Sequence, residues 1–389
     1  MEASRRFDLA LFGATGFTGG LTAEYLAANA PAGTRWAIAG RNRAKLEAVA
    51  ARLAAIESAA EPPAILLADA ADPAALAEVA AATRVVITTV GPYALYGGPL
   101  VAACAAAGTD YCDLTGEPEF VDRTWLDHHE TAERSGARLV HCCGFDSVPH
   151  DLGAYFTVKQ LPEGVPLTVN GYVRTHAQFS GGTFHSAING FARARETIGA
   201  AKARRRAEPR DPARPIHAAP PRLHRSEEAG GWTAPLPTID GSVVRRSAAA
   251  VPRYGPKFTY GHNLVARNPA IIPALALGVG AVAALAPLPP TRKLLLKLKD
   301  PGEGPDQATR ERSWFKLTFV GEGGGERVVT EVCGGDPGYG ETSKMLAESG
   351  LCLAFDELPA TCGQVTTVTA MGEMLLTRLQ KAGITFRVR

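Results

Sequence analysis

One short stretch constrains this chain more than any other: Gly13-Ala14-Thr15-Gly16-Phe17-Thr18-Gly19, entered from an apolar run at 7–12 and followed by a helix-like segment at 18–29. A glycine turn that joins a strand to a helix brings main-chain N–H groups and a helix N-terminus to one point, where an anion is favoured. In such a turn Gly13 permits the tight reversal, Gly16 lets the main chain approach a pyrophosphate, and Gly19 lets the helix pack on the strand. Thr15, Phe17 and Thr18 stand between the glycines and are expected to line the phosphate cradle with them.

The pattern around the turn repeats. Apolar segments at 7–12, 35–39, 64–67, 85–90, 110–113 and 137–141 alternate with alanine-rich segments at 18–29, 42–56, 73–81, 98–107 and 117–135. Strands alternating with helices predict an α/β fold: a Rossmann, doubly wound parallel sheet occupying residues 1–150. From 151 the character changes. A long strand at 165–175, a helix at 183–206, and a hairpin of 314–320 with 327–333 about Glu322-Gly323-Gly324-Gly325 predict a second, mixed α/β domain over 151–340. Two more helices, 341–357 and 368–381, form a C-terminal part, 341–389.

The end of the second strand selects the cofactor. A dinucleotide fold for NAD usually places a carboxylate there, for the ribose 2′-hydroxyl. This chain has Gly40-Arg41-Asn42-Arg43 instead. Arg41 can donate to a 2′-phosphate and stack on adenine, so NADP(H) is the expected cofactor, with Arg43 or Lys45 in support. Asp69, at the end of the third strand, is expected beside the adenine. Gly91, Pro92 and Tyr93, beyond the fourth strand, are expected near the nicotinamide, because ligands of such sheets lie off the carboxyl ends of the strands.

Composition narrows the partners. A net charge of +2 over 389 residues gives no field that would recruit nucleic acid, and none is expected. Seven cysteines, irregularly spaced and odd in number, fit a reducing compartment, and the apolar run after Arg5 and Arg6 is too short for a secretory signal. A cytoplasmic protein is expected.

With the glycine turn, Gly40-Arg41, Gly91-Pro92-Tyr93, Tyr111-Cys112-Asp113-Leu114-Thr115-Gly116-Glu117 and Gly144-Phe145-Asp146-Ser147-Val148-Pro149 in that order, the chain resembles the saccharopine dehydrogenase-like family. Ser180-Gly181-Gly182-Thr183, Pro301-Gly302-Glu303-Gly304-Pro305 and Gly334-Gly335-Asp336-Pro337-Gly338-Tyr339-Gly340-Glu341-Thr342 resemble its actinobacterial branch, which includes trans-acting enoyl reductases of long-chain polyketide lipid synthesis. The resemblance implies a second domain forming the other wall of the cleft and C-terminal helices returning to the first. It also implies an NADPH-dependent reductase of an enoyl or related acyl group. An amino-acid or imine oxidoreductase, and a non-catalytic NADP(H)-binding lipid-surface protein, are the alternatives. Saccharopine enzymes hold dicarboxylates with arginines of the second domain. Here the clustered arginines fall in 202–225, which reads as a solvated loop.

Enoyl reduction needs a proton source or oxyanion donor near the nicotinamide. Tyr93 is the first choice, with Asp146 and His150 beside it; Tyr111, Asp113 and Ser147 also fall on strand-end loops. Adjacent Cys142 and Cys143 on a strand would point to opposite faces, so His141-Cys142-Cys143 with His150 does not make a chelating set and no metal is expected.

Two segments suggest partners. Residues 269–290 carry no charge and precede Arg292, Lys293, Lys297 and Lys299 among leucines. A buried helix or hairpin at a homodimer interface is the first expectation; the sharper one is a peripheral membrane contact through 269–299 on the inner face of the cell membrane. Residues 202–225 hold eight Lys or Arg against two acids, suited to an acidic acyl carrier that delivers the substrate.

Overall fold

The computed structural model describes residues 5–57, 60–177, 181–298 and 304–389. Ser180, Lys299 and Pro301-Gly302-Glu303, singled out above, lie outside the described residues.

Strands β1 (Phe7–Phe12), β2 (Trp36–Gly40), β3 (Ala64–Leu67), β4 (Thr83–Thr88), β5 (Asp110–Asp113) and β6 (Arg138–Val140) lie in one parallel sheet. They are followed in the chain by β7 (Leu167–His176), β8 (Ile216–Ala218), β9 (His224–Ser226), β10 (Gly231–Pro235), β11 (Phe258–Ala266), β12 (Trp314–Gly323), β13 (Glu326–Gly334), β14 (Gly363–Val365) and β15 (Thr385–Val388). The first sheet runs β14-β6-β5-β4-β1-β2-β3, with the order reversing at β1. Strand alternation sends Leu9, Leu11, Ile38 and Ile87 into one core and Ala10, Phe12, Ala37 and Val86 into another, so both faces of the sheet are covered. The fold is therefore the expected α/β one, a seven-stranded Rossmann-like sheet plus a second mixed sheet.

Differences from the expected elements are local. The fourth strand ends at Thr88, not at residue 90, because the Val90 N–H leaves the ladder for the Thr88 hydroxyl at 3.2 Å. Gly372 takes a φ of +41° and breaks the expected 368–381 helix into Thr367–Ala370 and Gly372–Lys381. The helix expected at 183–206 is likewise two, Gly181–Ala192 and Ala194–Ala207. Strand β14 was not anticipated, and it extends the first sheet from the far end of the chain.

The second sheet runs β15-β13-β12-β7-β11-β10-β9, with β8 also paired to β11. Helix Val148–Val158 leaves the first sheet and lies across this one. A Cβ on Gly153 would stand 2.3 Å from the Phe319 ring, so glycine is what lets helix and sheet approach. Helix Gly340–Phe355 packs under the first sheet in the same manner, with Gly350 against Ile87.

Residues 202–225 are mostly exposed, as their composition suggests, but the segment is anchored at particular residues and opens on a helix. Arg204 is 3% exposed and pairs with Asp122 at 3.3 Å and Glu208 at 2.8 Å. Arg214 donates to the carbonyl oxygens of Ala248, Ala249, Val251 and Gly255, three of them at the end of helix Asp240–Ala250, where carbonyls lack partners within the helix. Long-range partners order a segment whose own pattern carries no period. Lys202, Arg205, Arg206 and Arg210 stay exposed.

The apolar segment 269–290 forms a helix that its own chain leaves uncovered. Helix Ile271–Leu285 contains no buried residue, and no helix among the described residues is long and apolar enough to cross a membrane.

Candidate active site

The glycine turn is built as its spacing requires. Gly13 adopts φ +99°, and a Cβ on Gly19 would stand 2.1 Å from the Gly13 carbonyl oxygen, so neither position tolerates a side chain. A Cβ on Gly16 would meet only that same oxygen, at 3.6 Å; the space beyond it is open. Helix Phe17–Asn29 starts here with no side-chain cap and no acid in its first turn, which leaves its N–H groups for an anion. Thr15 and Gly16 are exposed. Phe17 packs on Tyr339 at 4.8 Å and the Thr18 carbonyl accepts from Ser343 at 3.3 Å, so these two also tie the turn to the Gly340–Phe355 helix. These features fit a dinucleotide.

At the ends of β2 and β3, Arg41 and Asp69 face each other at 3.9 Å, with the Arg41 side chain 80% exposed. Arg43 instead points along its helix to Glu47 at 3.8 Å, and the Lys45 N–H is taken by the Asn42 cap. Arg41 is an exposed cation at the carboxyl end of β2, the end of such sheets where ligands lie.

Gly91 and Pro92 are accessible at the end of β4, whereas Tyr93 turns inward. The Tyr93 side chain is buried, with its hydroxyl donating to the Thr88 carbonyl at 3.1 Å and accepting from the Leu114 N–H at 3.4 Å. Burial, reinforced by the charge of Asp113, pushes its pKa well above the usual phenol range. This corrects the first choice of proton donor: Tyr93 braces its loop and offers no proton to the cleft. Tyr111 and Asp113 are struts as well. Asp113 accepts from Tyr111, from Thr115 and Cys142 N–H groups, and pairs with His141 at 2.7 Å.

Asp146 differs. Its loop is pinned by Phe145 N–H donating to Thr342 at 3.0 Å and Ser147 N–H to Cys142 at 2.8 Å, yet no described residue hydrogen-bonds its carboxyl. The carboxyl stands before Gly116, an exposed glycine; a Cβ there would lie 3.0 Å from Asp146 Oδ2, so the missing side chain keeps its approach clear. Burial, with the charge of Asp240 behind it, pushes the pKa of Asp146 up to about 7.

Asp240 is the first residue of helix Asp240–Ala250, where the helix dipole favours an anion. His150 lies 3.3 Å from one of its oxygens and His262, on β11, 3.4 Å from the other, while Thr238 donates to it. Burial opposes the charge of Asp240, but these neighbours hold its pKa below the usual range. His150 is 2% exposed, and burial lowers its pKa to about 4, so it is a neutral, buried support and not a proton donor to the cleft. Among the described residues, His150, Asp240 and His262 are also the one group compact enough to hold a cation, their ligand atoms lying within 4.8 Å of one another. The Cys142 and Cys143 thiols are buried and their pKa values raised by it, which removes them as nucleophiles. Asp240 and His262 were missed in the sequence. Their signals were weak: an acid opening a helix after Thr238, and a histidine on a strand that had not been drawn.

A model of the saccharopine dehydrogenase NADP-binding domain matches residues 9–140, the sheet that carries the glycine turn. A Mycobacterium tuberculosis protein provisionally named a trans-acting enoyl reductase is 41% identical over 412 aligned positions, covering 98% of this chain and 97% of its own. The chain belongs to the saccharopine dehydrogenase-like family. A Mycobacterium ulcerans protein named a trans-acting enoyl reductase is 36% identical, with 98% of both chains covered. Apo saccharopine dehydrogenase (L-Glu forming) of Saccharomyces cerevisiae superposes with a TM-score of 0.55 at 12% identity over 98% of this chain and 99% of that one, which shows a shared fold. An NADP-binding domain is present, and the chain is an oxidoreductase by family.

Proposed function

We propose that this protein is an NADPH-dependent enoyl reductase in which Asp146 donates the proton. The observation that carries the reading is a pair of carboxyls, Asp240 buried and Asp146 half-buried, set apart by their surroundings. Asp240 is held ionised by Thr238, by His262 and by the N-terminus of its own helix, while Asp146 accepts no hydrogen bond from a described residue and is raised to about 7. Two carboxyls pushed to opposite states are the pattern of an acid kept ready beside a fixed charge. The extensive identity to relatives named as enoyl reductases supports acyl C=C reduction over amine chemistry.

In this reading the glycine turn holds the pyrophosphate, Arg41 the 2′-phosphate and Asp69 the adenine edge, while Gly91 and Pro92 flank the nicotinamide. From β1 to β6 is three strand spacings in the sheet order, about 14 Å at ~4.8 Å each, so the turn and Asp146 can be bridged by one extended ligand. Bound NADPH supplies the hydride for the β-carbon of the acyl group. Asp146 gives its proton to the α-carbon, becomes a carboxylate, and is reprotonated from the solvent side past Gly116. Exposed Lys202, Arg205, Arg206 and Arg210 offer a basic surface to an acyl group delivered on an acidic carrier.

The test is NADPH oxidation by the purified protein with a panel of enoyl thioesters, set against amine plus keto-acid pairs. Enoyl-dependent oxidation is expected. Oxidation with the amine pair alone would transfer the protein to the amino-acid dehydrogenases of the same fold.

A further inference from the structure

The least explained surface of the molecule is a helical hairpin, Ile271–Leu285 followed by Pro289–Leu296, whose two helices contain no buried residue, only Ala286 between them being covered. Leu277, Leu294 and Leu298 are 76%, 65% and 69% exposed, and Ile271, Leu275, Val279, Leu285 and Leu288 are exposed with them. Single apolar side chains on a surface need no explanation, but a contiguous patch of this kind marks something that covers it.

What covers it is indicated by charge. From 269 to 298 there is no acidic residue, and the cations Arg292, Lys293 and Lys297 follow the apolar helix without an ion-pair partner among the described residues. A second copy pairing through this hairpin alone would bring no acid to these cations, since 269–298 carries none. It would also cover only one side of a helix that is open on nearly all sides. The 15 residues of Ile271–Leu285 measure about 22 Å, short of the ~30 Å needed to cross a hydrocarbon core. An apolar helix too short to span, flanked by unpaired cations, has the chemistry of one lying in a bilayer interface.

The placement matters for the active site. Both helices of the hairpin rest against helix Gly181–Ala192, whose Ser186 donates to Glu117 at 2.8 Å. Glu117 in turn accepts the Tyr93 and Ala94 N–H groups at the end of β4. The hairpin therefore stands one helix away from the cleft.

We propose that the hairpin 271–298 seats the enzyme on an anionic bilayer surface, with the apolar helix at acyl-chain depth and Arg292, Lys293 and Lys297 at the headgroups. The proposal does not depend on which acyl bond is reduced, and its readout is separate from turnover. The full chain, with NADPH, is sedimented with vesicles of phosphatidylcholine containing one quarter phosphatidylglycerol, and with phosphatidylcholine alone. Binding to the anionic vesicles is expected to be at least tenfold tighter and to weaken on raising salt. Leu277→Asp with Leu294→Asp should abolish it while leaving thermal stability unchanged, since both side chains are already in water. Arg292→Glu, Lys293→Glu and Lys297→Glu together should remove the lipid-charge preference. Equal recovery in the pellet with and without vesicles, indifference of binding to Leu277→Asp with Leu294→Asp, or a dimer in solution that the same pair dissolves would each overturn it.

Discussion

The loops that follow β4 and β6 leave the same edge of the same sheet, and each carries a protic side chain that the sequence presents as a proton donor. After β4, Tyr93 turns under its own loop and spends its hydroxyl on the Thr88 carbonyl and Leu114 N–H. After β6, Asp146 stays on the open side, with no hydrogen bond to neutralise it and an ionised Asp240 behind it. A side chain whose hydrogen bonds close on nearby main chain is part of the scaffold. One left without a protein partner and with its pKa moved by its surroundings is a candidate for chemistry, because such groups gather where chemistry is done.

The contrast can be broken by substitution. Asp146→Asn keeps the shape and removes the acid, so enoyl reduction should fall about 10²- to 10⁴-fold, the usual range for one general acid, with NADPH affinity unchanged. A loss below tenfold would put Asp146 with Tyr93 among the scaffold residues. At the other end of the ligand, Arg41→Asp should weaken NADPH by about 10- to 100-fold through loss of charge-assisted hydrogen bonds, and NADH far less. Equal losses measured by fluorescence titration would remove the 2′-phosphate contact. Tyr93→Phe should show the smallest effect: about 1 kcal/mol of stability in denaturant melts and little change in turnover. A large fall in turnover with stability intact would restore Tyr93 as the donor.

The first six strands of the first sheet were legible because most are short apolar runs and each turn has its own punctuation; β14, a three-residue strand from the far end of the chain, was not. Phe7–Phe12, Ala64–Leu67 and Asp110–Asp113 fall where the pattern puts them. Arg41 could be placed at a strand end by counting from Gly19, and Asp146 on a loop in the same way, whereas His150, expected on that loop, lies in helix Val148–Val158. Depth was not legible. Nothing in Gly91-Pro92-Tyr93 tells which way the ring turns; that is decided by Phe120, packed on it at 5.6 Å, and by Glu117, which takes the two N–H groups of the loop. The buried partner of Asp146 was also out of reach, because Asp240, opening a helix packed on the second sheet, and His262, on that sheet, come about a hundred residues on. The anchors of residues 202–225 were misread for the same reason. Arg204 and Arg214 look like solvated charges until Asp122 and the carbonyls after Ala248 are brought to them.

Sign and position of the pH dependence follow from the same contrast. Asp146 donates only while protonated, and its pKa lies near 7. The rate should therefore be level in mild acid and decline as pH rises through about 7, provided hydride transfer is observed in a single turnover. The measurement that bears most directly on the account is this profile, recorded for the wild-type protein and for Asp146→Asn with NADPH and an enoyl thioester that the wild type reduces. The account predicts a descending limb near pH 7 in the wild type, and in the variant a slow rate without that limb. A variant that keeps the wild-type rate and the same limb would contradict it.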